Sequence, residues 1–349
     1  MSEKTYKQQT DENNLKLINN MCEALPSYVS RFKRGIIQST ATSSLLGYIR
    51  NIKDFLEYIA DSKDIPIMDV TLQMLSDVDT ELIETYMDYL TCYEKNGVTR
   101  TNGRASIKRR LSSLSVFYRY LYKNDLIEKN AFSKVDKPKL KEKQIIRMDA
   151  AETAKFLDTV EYGISLTEHQ QKYHEKYKIR DLAVMTLMLS SGIRISECVG
   201  LNLTDINIEE TCMRVIRKGG KEAIVYFSDE AADALSDYME LRKNIEPAPG
   251  HENALFLSAQ KKRLSVRAIQ DMVGKYAKSS AILKHITPHK LRSTFGTALY
   301  QETSDIYLVA DVLGHSDVNT TRKHYADIED NRKRSARNKV TLREKPTGR

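Results

Sequence analysis

Arginines, histidines and one late tyrosine in the second half of the sequence have the chemistry needed to attack a phosphodiester. They lie in three segments, SGIRISE, PHKLR and LGHSDVNTTRKHY. Metal-free cleavage of a phosphodiester needs a nucleophile, cations that neutralise the non-bridging oxygens, and a proton for the leaving oxygen. The candidates for these tasks are, in chain order, Arg194, His289, Arg292, His315 and Tyr325.

Arginine suits the cationic task because its planar guanidinium can hold two phosphate oxygens and stays charged at any relevant pH. His289 and Arg292 are three residues apart, so on a helix they share a face. Thr287-Pro288 predicts the start of that helix, where exposed N–H groups favour an anion. Each motif alone has a simpler interpretation, since Arg194 and Glu197 also have the spacing of an intrahelical ion pair.

Tyrosine is a poor nucleophile in water because its reference pKa is about 10. Two guanidiniums beside a bound phosphate could help the phenolate form and stabilise the transition state. The chain has 19 tyrosines, and Tyr325 stands out by its position after Leu-Gly-His and Thr-Thr. Lys218 and Lys221 border Gly219-Gly220, and either lysine could donate a proton to the leaving oxygen.

The spacing of apolar residues predicts that the first half of the chain is helical. This half could position the candidate groups on a nucleic acid. Residues 104–123 have apolar side chains at helical spacing and predict a buried stripe. The stripe consists of Ile107, Leu111, Leu114, Tyr118 and Leu121. The basic side chains of Arg104, Lys108, Arg109 and Arg119 lie outside this stripe. That cationic face is interpreted either as a phosphate-binding surface or as ordinary solubilising charge.

In the second half, the apolar run 182–189 predicts a buried helix, and the polar interval 160–178 predicts a surface insertion. The segments MRVIRK and KEAIVYF flank two glycines, which favours a tight β-hairpin. Asp149, Ser228 and Ser265 are predicted to be helix N-caps. Glu152, three residues after Asp149, would complete a capping box with it.

A length of 349 residues indicates two domains. The expected divisions are a loose or weakly helical tail over 1–19, a helical domain over 20–134, a charged proline-containing linker over 135–148, and a second domain over 149–349 with a basic tail from about 331.

The net charge of +8 favours a polyanionic partner, although a membrane surface would also suit it. No apolar run approaches the roughly 18–20 residues of a membrane span, and the polar N-terminus does not resemble a signal peptide, so a cytoplasmic protein is expected. The cysteines lack metal or disulfide spacing and are expected to be small core residues: Cys22, Cys92, Cys198 and Cys212. Neither a metal nor any other cofactor is expected.

Four segments in this order, SGIRISECVGLNLTDI, VIRKGGKE, ITPHKLRSTFGTAL and LGHSDVNTTRKHY, resemble the tyrosine recombinase (phage integrase-like) family. The resemblance is strong over 175–328, and 20–134 is similar to the family's helical core-binding domain. It implies a mainly α fold with a small β-sheet: a two-domain, C-shaped clamp around DNA, made of that helical domain and a mixed α/β catalytic domain.

The resemblance also implies roles for individual residues. Arg194, His289, Arg292 and His315 would bind and activate the scissile phosphate. Lys218 would be the general acid, with Lys221 the weaker candidate, and Tyr325 would form a 3′-phosphotyrosyl link. Glu197 and Asp205 would support the fold. The expected DNA-binding residues are Arg104, Lys108, Arg109, Arg119 and Lys221.

The implied partners are a specific double-stranded DNA site and three further copies of the chain in a tetramer on two sites. The resemblance leaves open whether an accessory protein is also a partner. The basic tail would dock on a neighbouring subunit. The expected role is Xer-like resolution of chromosome dimers, with consequences for chromosome partition and cell division. The alternatives are an integrase or excisionase of a phage or transposon and, more distantly, a non-catalytic DNA-binding regulator.

Overall fold

The computed structural model describes residues 4–95, 97–140, 146–217, 220–314 and 318. It divides into two compact units, Met1–Lys143 and Gln144–Arg349. The division falls within the segment 135–148 that the sequence analysis interpreted as a linker. Helices dominate the described chain and the sheets are small, which confirms the predicted mainly α fold class.

Unit 1 contains six α-helices and one two-stranded sheet in its described residues. The helices are α1 Tyr6–Glu23, α2 Ser27–Ile36, α3 Thr42–Lys63, α4 Leu72–Ser76, α5 Thr80–Thr91 and α6 Arg104–Lys123; the strands are β1 Cys92–Lys95 and β2 Val98–Thr101. The helix predicted over 104–123 and its buried stripe are both confirmed.

Aromatic side chains fill much of the core of unit 1, where α3 and α6 pack together. Phe55 meets Tyr86, Tyr118 and Phe132 edge to face, at centroid separations of 4.9, 6.2 and 5.8 Å. Edge-to-face pairs add about 0.5–1.5 kcal/mol each beyond the burial of apolar area. This core fixes α6 and leaves its polar side facing away from the unit.

Two features of unit 1 differ from the sequence-based expectation. Residues 1–19 were expected to form a loose or weakly helical tail, but α1 begins at Tyr6 with a capping box from Thr5 and buries Ile18 and Cys22. The region to residue 134 was expected to be helical throughout, but β1 and β2 form an antiparallel hairpin. Asn96-Gly97 is a strong hairpin signal that was overlooked.

Unit 2 contains seven α-helices and a three-stranded antiparallel sheet of order β3-β4-β5 in its described residues. The helices are α7 Ala150–Tyr162, α8 Glu168–Ser191, α9 Ile195–Gly200, α10 Asp229–Lys243, α11 Val266–Ser279, α12 Pro288–Thr303 and α13 Ile306–Leu313; the strands are β3 Ile206–Asn207, β4 Cys212–Ile216 and β5 Glu222–Tyr226.

Helix α8 packs against α7, α9, α10 and α12 and so organises unit 2. The predicted surface insertion at 160–178 is wrong in part, because α8 begins at Glu168 and buries His174, whose Nε2 lies 2.8 Å from the carbonyl oxygen of Val160. Further along, buried Asp181 accepts from the Nη2 of Arg180 at 2.6 Å and from the hydroxyl of Tyr276 at 2.8 Å. The contact between Tyr276 and Asp181 ties α8 to α11.

In unit 2 the predicted helix caps and the predicted hairpin are confirmed. The side chains of Asp149, Ser228 and Ser265 cap their helices as predicted, and β4 and β5 form the predicted hairpin. The expectation of four core cysteines is wrong for Cys92, which is exposed, and incomplete for Cys212, which is half-buried. No described helix combines the length and hydropathy that a membrane-spanning segment needs.

Candidate active site

A glycine turn at the end of α8 places the first candidate arginine. Gly192 has a φ of +61°, the left-handed region that favours glycine. A Cβ at this position would lie 2.4 Å from Cδ1 of Phe295 and 2.9 Å from Cδ2 of Leu313, so α12 and α13 approach the turn closely. The chain then turns into α9, with Arg194 at the N-cap.

Arg194 is held by a buried carboxylate. Glu197 accepts from the backbone N–H of Arg194 at 2.9 Å and from its Nη1 at 2.8 Å. The side chain of Glu197 is 4% exposed, whereas that of Arg194 is 35% exposed. The ion pair expected from the spacing is therefore present, and it orients a guanidinium that still faces solvent.

Arg292 projects from α12 and is buried. Its Nη1 donates to the carbonyl oxygen of Gly192 at 2.6 Å, and its Nη2 donates to the carbonyl oxygen of Leu313. Both acceptors are uncharged. Arg292 thus joins the turn that precedes Arg194 to the end of α13.

His289 lies in the first turn of α12, which begins at Pro288 as predicted. It is exposed and stands one helical turn before Arg292. Because the first N–H groups of a helix lack intrahelical partners, this end of α12 favours an anion.

Three arginines from different elements meet the C-terminal end of α13. Nη2 of Arg194 donates to the carbonyl oxygen of Gly314 at 3.1 Å, and Arg292 binds the preceding carbonyl. Nη2 of Arg217, the residue after β4, donates to the carbonyl oxygen of Val312 at 2.9 Å. Cations at a helix C-terminus satisfy carbonyls that lack intrahelical partners and complement the helix dipole.

Three predicted site residues lie outside the described residues: Lys218, His315 and Tyr325. The structure therefore brings together Arg194 and Arg292, with His289 one turn away on α12. Lys221 is exposed, and its carbonyl oxygen accepts from the backbone N–H of Arg217 at 2.8 Å.

Asp205 makes contacts of the supporting kind. Its carboxylate accepts from the backbone N–H of Asn202 at 2.9 Å and from the Nη2 of Arg214 at 2.8 Å. It joins the turn before β3 to β4.

The basic side of α6, in unit 1, is accessible. Arg104, Arg109 and Arg119 are exposed and Lys108 is half-buried. Within the described part of the chain these four side chains form no ion pair, whereas neighbouring Arg110 is bound by Asp54 at 2.6 Å.

The participation of Arg217 was missed in the sequence. The residue precedes Lys218, but nothing in its neighbourhood predicts a contact with a helix 95 residues further on. Nearby Cys198 is not a competing nucleophile, because burial raises the pKa of its thiol to about 12. Among the described residues no group of three or more His, Cys, Asp or Glu side chains is placed to hold a metal ion.

Comparison with known proteins bears on this geometry. The phage integrase family model matches residues 147–332, and the phage integrase SAM-like domain matches residues 20–140. The chain belongs to the phage integrase family. It is a tyrosine recombinase, a site-specific recombination enzyme of the Xer-like type.

Curated relatives of this family member are similar over most of their length. Tyrosine recombinase XerS of Streptococcus uberis is 34% identical over 321 residues, covering 83% of this chain and 88% of the relative. Tyrosine recombinase XerS of Streptococcus agalactiae serotype III is 31% identical over 348 residues, covering 91% and 97%.

A solved structure supports the fold. The post-cleavage complex of the XerH site-specific recombinase bound to a palindromic difH substrate has a TM-score of 0.64 and 19% identity, covering 96% of this chain and 90% of that one. At this identity the likeness concerns the fold alone.

Proposed function

We propose that the protein cleaves and rejoins the strands of a specific double-stranded DNA site through a covalent 3′-phosphotyrosyl intermediate at Tyr325. The observation that carries the proposal is the meeting of Arg194 and Arg292 at the end of α13. The sequence after that helix end contains His315 and Tyr325. In this proposal Arg194, His289, Arg292 and His315 bind the scissile phosphate.

The proposed reaction conserves phosphoester bonds. The phenolic oxygen of Tyr325 forms a bond to phosphorus while the bond from phosphorus to the 5′ oxygen breaks. A histidine of the site takes the phenolic proton, and Lys218 gives a proton to the 5′ oxygen. The 5′ hydroxyl of a partner strand then attacks the phosphotyrosyl link, which restores the phosphodiester and the phenol. Because one ester is exchanged for another, ATP is not consumed.

Preorganisation of the arginines supports this chemistry. One Nη of Arg194 donates to Glu197 and the other donates to Gly314. These contacts use two of the five N–H donors of the guanidinium. Donors already oriented by protein contacts need no reorganisation when negative charge develops on the phosphate.

Binding of duplex DNA is proposed for the accessible basic side chains of α6, namely Arg104, Lys108, Arg109 and Arg119, together with Lys221 at the hairpin. Support comes from the relatives and from the exposure of these side chains, of which only Lys108 is half-buried. Each phosphate neutralised releases condensed counterions, so affinity should fall steeply with salt.

The deciding experiment uses a DNA substrate nicked near the cleavage site, so that the covalent complex accumulates. The wild-type protein should form an adduct that peptide mapping places on Tyr325. Tyr325→Phe should bind the DNA and form no adduct, whereas Tyr307→Phe, at an exposed position of α13, should react normally. An adduct on another side chain, or none with the wild-type protein, would overturn the proposal.

For the biological role we infer Xer-like resolution of chromosome dimers in the cytoplasm by a homotetramer on two DNA sites. Support comes from the XerS relatives, which the chain matches over 88% and 97% of their length. Recombination of one short palindrome-like site without accessory protein is expected; a strict requirement for a DNA-bending factor would favour a mobile-element integrase instead.

We further infer that the basic tail beyond residue 331 docks on a neighbouring subunit in that tetramer. Truncation after Asp330 should leave single-site binding intact and abolish cooperative pairing of two sites. If the truncated protein pairs two sites and recombines them as the wild type does, this inference is wrong.

A further inference from the structure

Arg217 stands at the base of the hairpin tip that carries Lys218. Its backbone N–H donates to the carbonyl oxygen of Lys221 at 2.8 Å, and its own carbonyl oxygen accepts from the N–H of Gly220 at 3.0 Å. Both bonds are made by the residue that directly follows the end of β4 at Ile216. The backbone of Arg217 is therefore bonded to Gly220 and Lys221, the described residues that follow Lys218 and Gly219 in the chain.

The side chain of the same residue binds the end of α13. Its Nη2 donates to the carbonyl oxygen of Val312 at 2.9 Å, and its Nη1 lies 3.4 Å from that of Asp311. Its Nε is buried and has no hydrogen-bond partner among the described residues. The guanidinium is thus held at the helix end by one good bond and one long one.

The guanidinium also packs closely on Gly314. A Cβ at Gly314, whose φ is +62°, would lie 2.2 Å from Nη1 of Arg217. Only a residue without a side chain lets the guanidinium and the helix end approach so closely. Gly314 is followed directly by His315 in the sequence.

Arg217 therefore completes a row of contacts. The consecutive carbonyls of Val312, Leu313 and Gly314 accept from Arg217, Arg292 and Arg194, respectively. Two of these arginines belong to the proposed phosphate site. The third comes from the hairpin that contains the proposed proton donor.

We propose that Arg217 is a positioning residue that holds the lysine-bearing hairpin tip in register with the two phosphate-binding arginines. This inference rests on the proposed function. The proton donor must lie within about 3 Å of the leaving 5′ oxygen, and a misplacement of about 1 Å can reduce a rate about 10²-fold.

A role limited to stabilising the fold makes a different prediction. Loss of a helix-capping contact would lower stability and reduce cleavage of every substrate alike. Loss of proton-donor placement would affect only substrates whose leaving oxygen needs a proton. The chemistry of the leaving group therefore separates the two interpretations.

The test uses single-turnover cleavage of two nicked DNA substrates by the full chain. One has the ordinary 5′ oxygen at the scissile bond; the other has sulfur there, which leaves as a thiolate without a proton. The variants are Arg217→Gln and, to keep the positive charge, Arg217→Lys. The matched control is Arg214→Gln, on β4, whose exposed side chain pairs with Asp205 and Glu222.

We expect Arg217→Gln to cleave the ordinary substrate about 10²-fold more slowly than the wild type, and the sulfur substrate within about 5-fold of it. Arg217→Lys should show the same pattern more weakly, because a single ammonium cannot replace the planar fork. Arg214→Gln should cleave both substrates normally. Lys218→Ala should be rescued in the same way, as a positive control for the leaving-group test.

Equal losses on both substrates for Arg217→Gln, or no loss on either, would overturn the inference. If Arg217→Gln does not fold, the same two outcomes in Arg217→Lys decide the matter. A wild-type protein that forms no adduct would refute the proposed function itself. A wild-type adduct together with a normal Arg217→Gln would refute only the role of Arg217.

Discussion

At the scale of single residues, the site depends on arginines whose geometry is fixed by main-chain acceptors. Arg292 spans two carbonyl oxygens, those of Gly192 and Leu313, that belong to different elements. A lysine could reach one of them, but its ammonium is a point charge and cannot reproduce the planar fork.

Arg292→Lys should therefore cleave DNA about 10²-fold more slowly, while its affinity for the DNA site changes by no more than about 2-fold, because one phosphate among many contributes little to total binding. Single-turnover cleavage and equilibrium binding at the same salt concentration would measure the two effects. Arg267→Lys, at an exposed position paired with Asp271, is the control. Comparable losses of binding and cleavage would mean that Arg292 is a general DNA contact.

At the scale of elements, glycine turns set the approach of helices in unit 2. Gly192 lets α8 end where α12 and α13 pack against it, and Gly314 ends α13 with a left-handed φ. Gly274 differs from both, since it is exposed within α11 and a Cβ there would meet nothing within 4 Å.

We expect opposite effects of alanine at two of these positions. Gly192→Ala combines an unfavourable φ with a clash against Phe295 and should lower the free energy of unfolding by about 1–3 kcal/mol. Gly274→Ala should raise it by about 0.5–1 kcal/mol, because alanine favours a helix over glycine. Urea titrations would measure both, and a shared sign would contradict the role assigned to the turn.

The helices and strands also show which features of the fold could be predicted from the sequence. Caps at Ser228 and Ser265 and the stripe of α6 follow local rules, so they could be predicted. The hairpin of β1 and β2 interrupts a helical region, and the prediction of helix throughout that region did not take its Asn-Gly signal into account. The motifs predict the candidate site as a set of residue types, and the structure places two of that set, Arg194 and Arg292, at the end of α13. The contact of Arg217 with Val312 joins residues 95 apart and follows only from tertiary packing.

At the scale of the whole molecule, buried tyrosines link stability to alkaline pH. Burial raises the pKa of the phenols of Tyr28, Tyr86 and Tyr118 in unit 1, and of Tyr238 and Tyr276 in unit 2, above the ordinary value of 10.0. Above pH 10 the unfolded chain loses these protons while the folded chain keeps them. Because the folded state then binds more protons, the free energy of unfolding falls as pH rises.

Tyr118→Phe tests this link, because the hydroxyl of Tyr118 is buried and has no hydrogen-bond partner among the described residues. Near pH 7 the variant should be more stable than the wild type by up to about 1 kcal/mol, since an unsatisfied polar group is removed. Above pH 10 the free energy of unfolding of the variant should fall less steeply with pH than that of the wild type, because the variant has one buried phenol fewer to titrate. Thermal unfolding across pH 7–11 would measure both effects, with Tyr122→Phe at an exposed position as control. A slope unchanged in Tyr118→Phe would contradict the assignment.

The arginine contacts at the end of α13 have a consequence for how the protein matures. Val312, Leu313 and Gly314 are bound by side chains that enter the chain as much as 120 residues earlier. During synthesis Arg194 and Arg217 emerge long before the acceptors that orient them. A chain that stops short of Val312 would therefore contain Arg194 and Arg217 without the carbonyl acceptors at the end of α13. The row of oriented guanidiniums is completed only once residues 312–314 have been made.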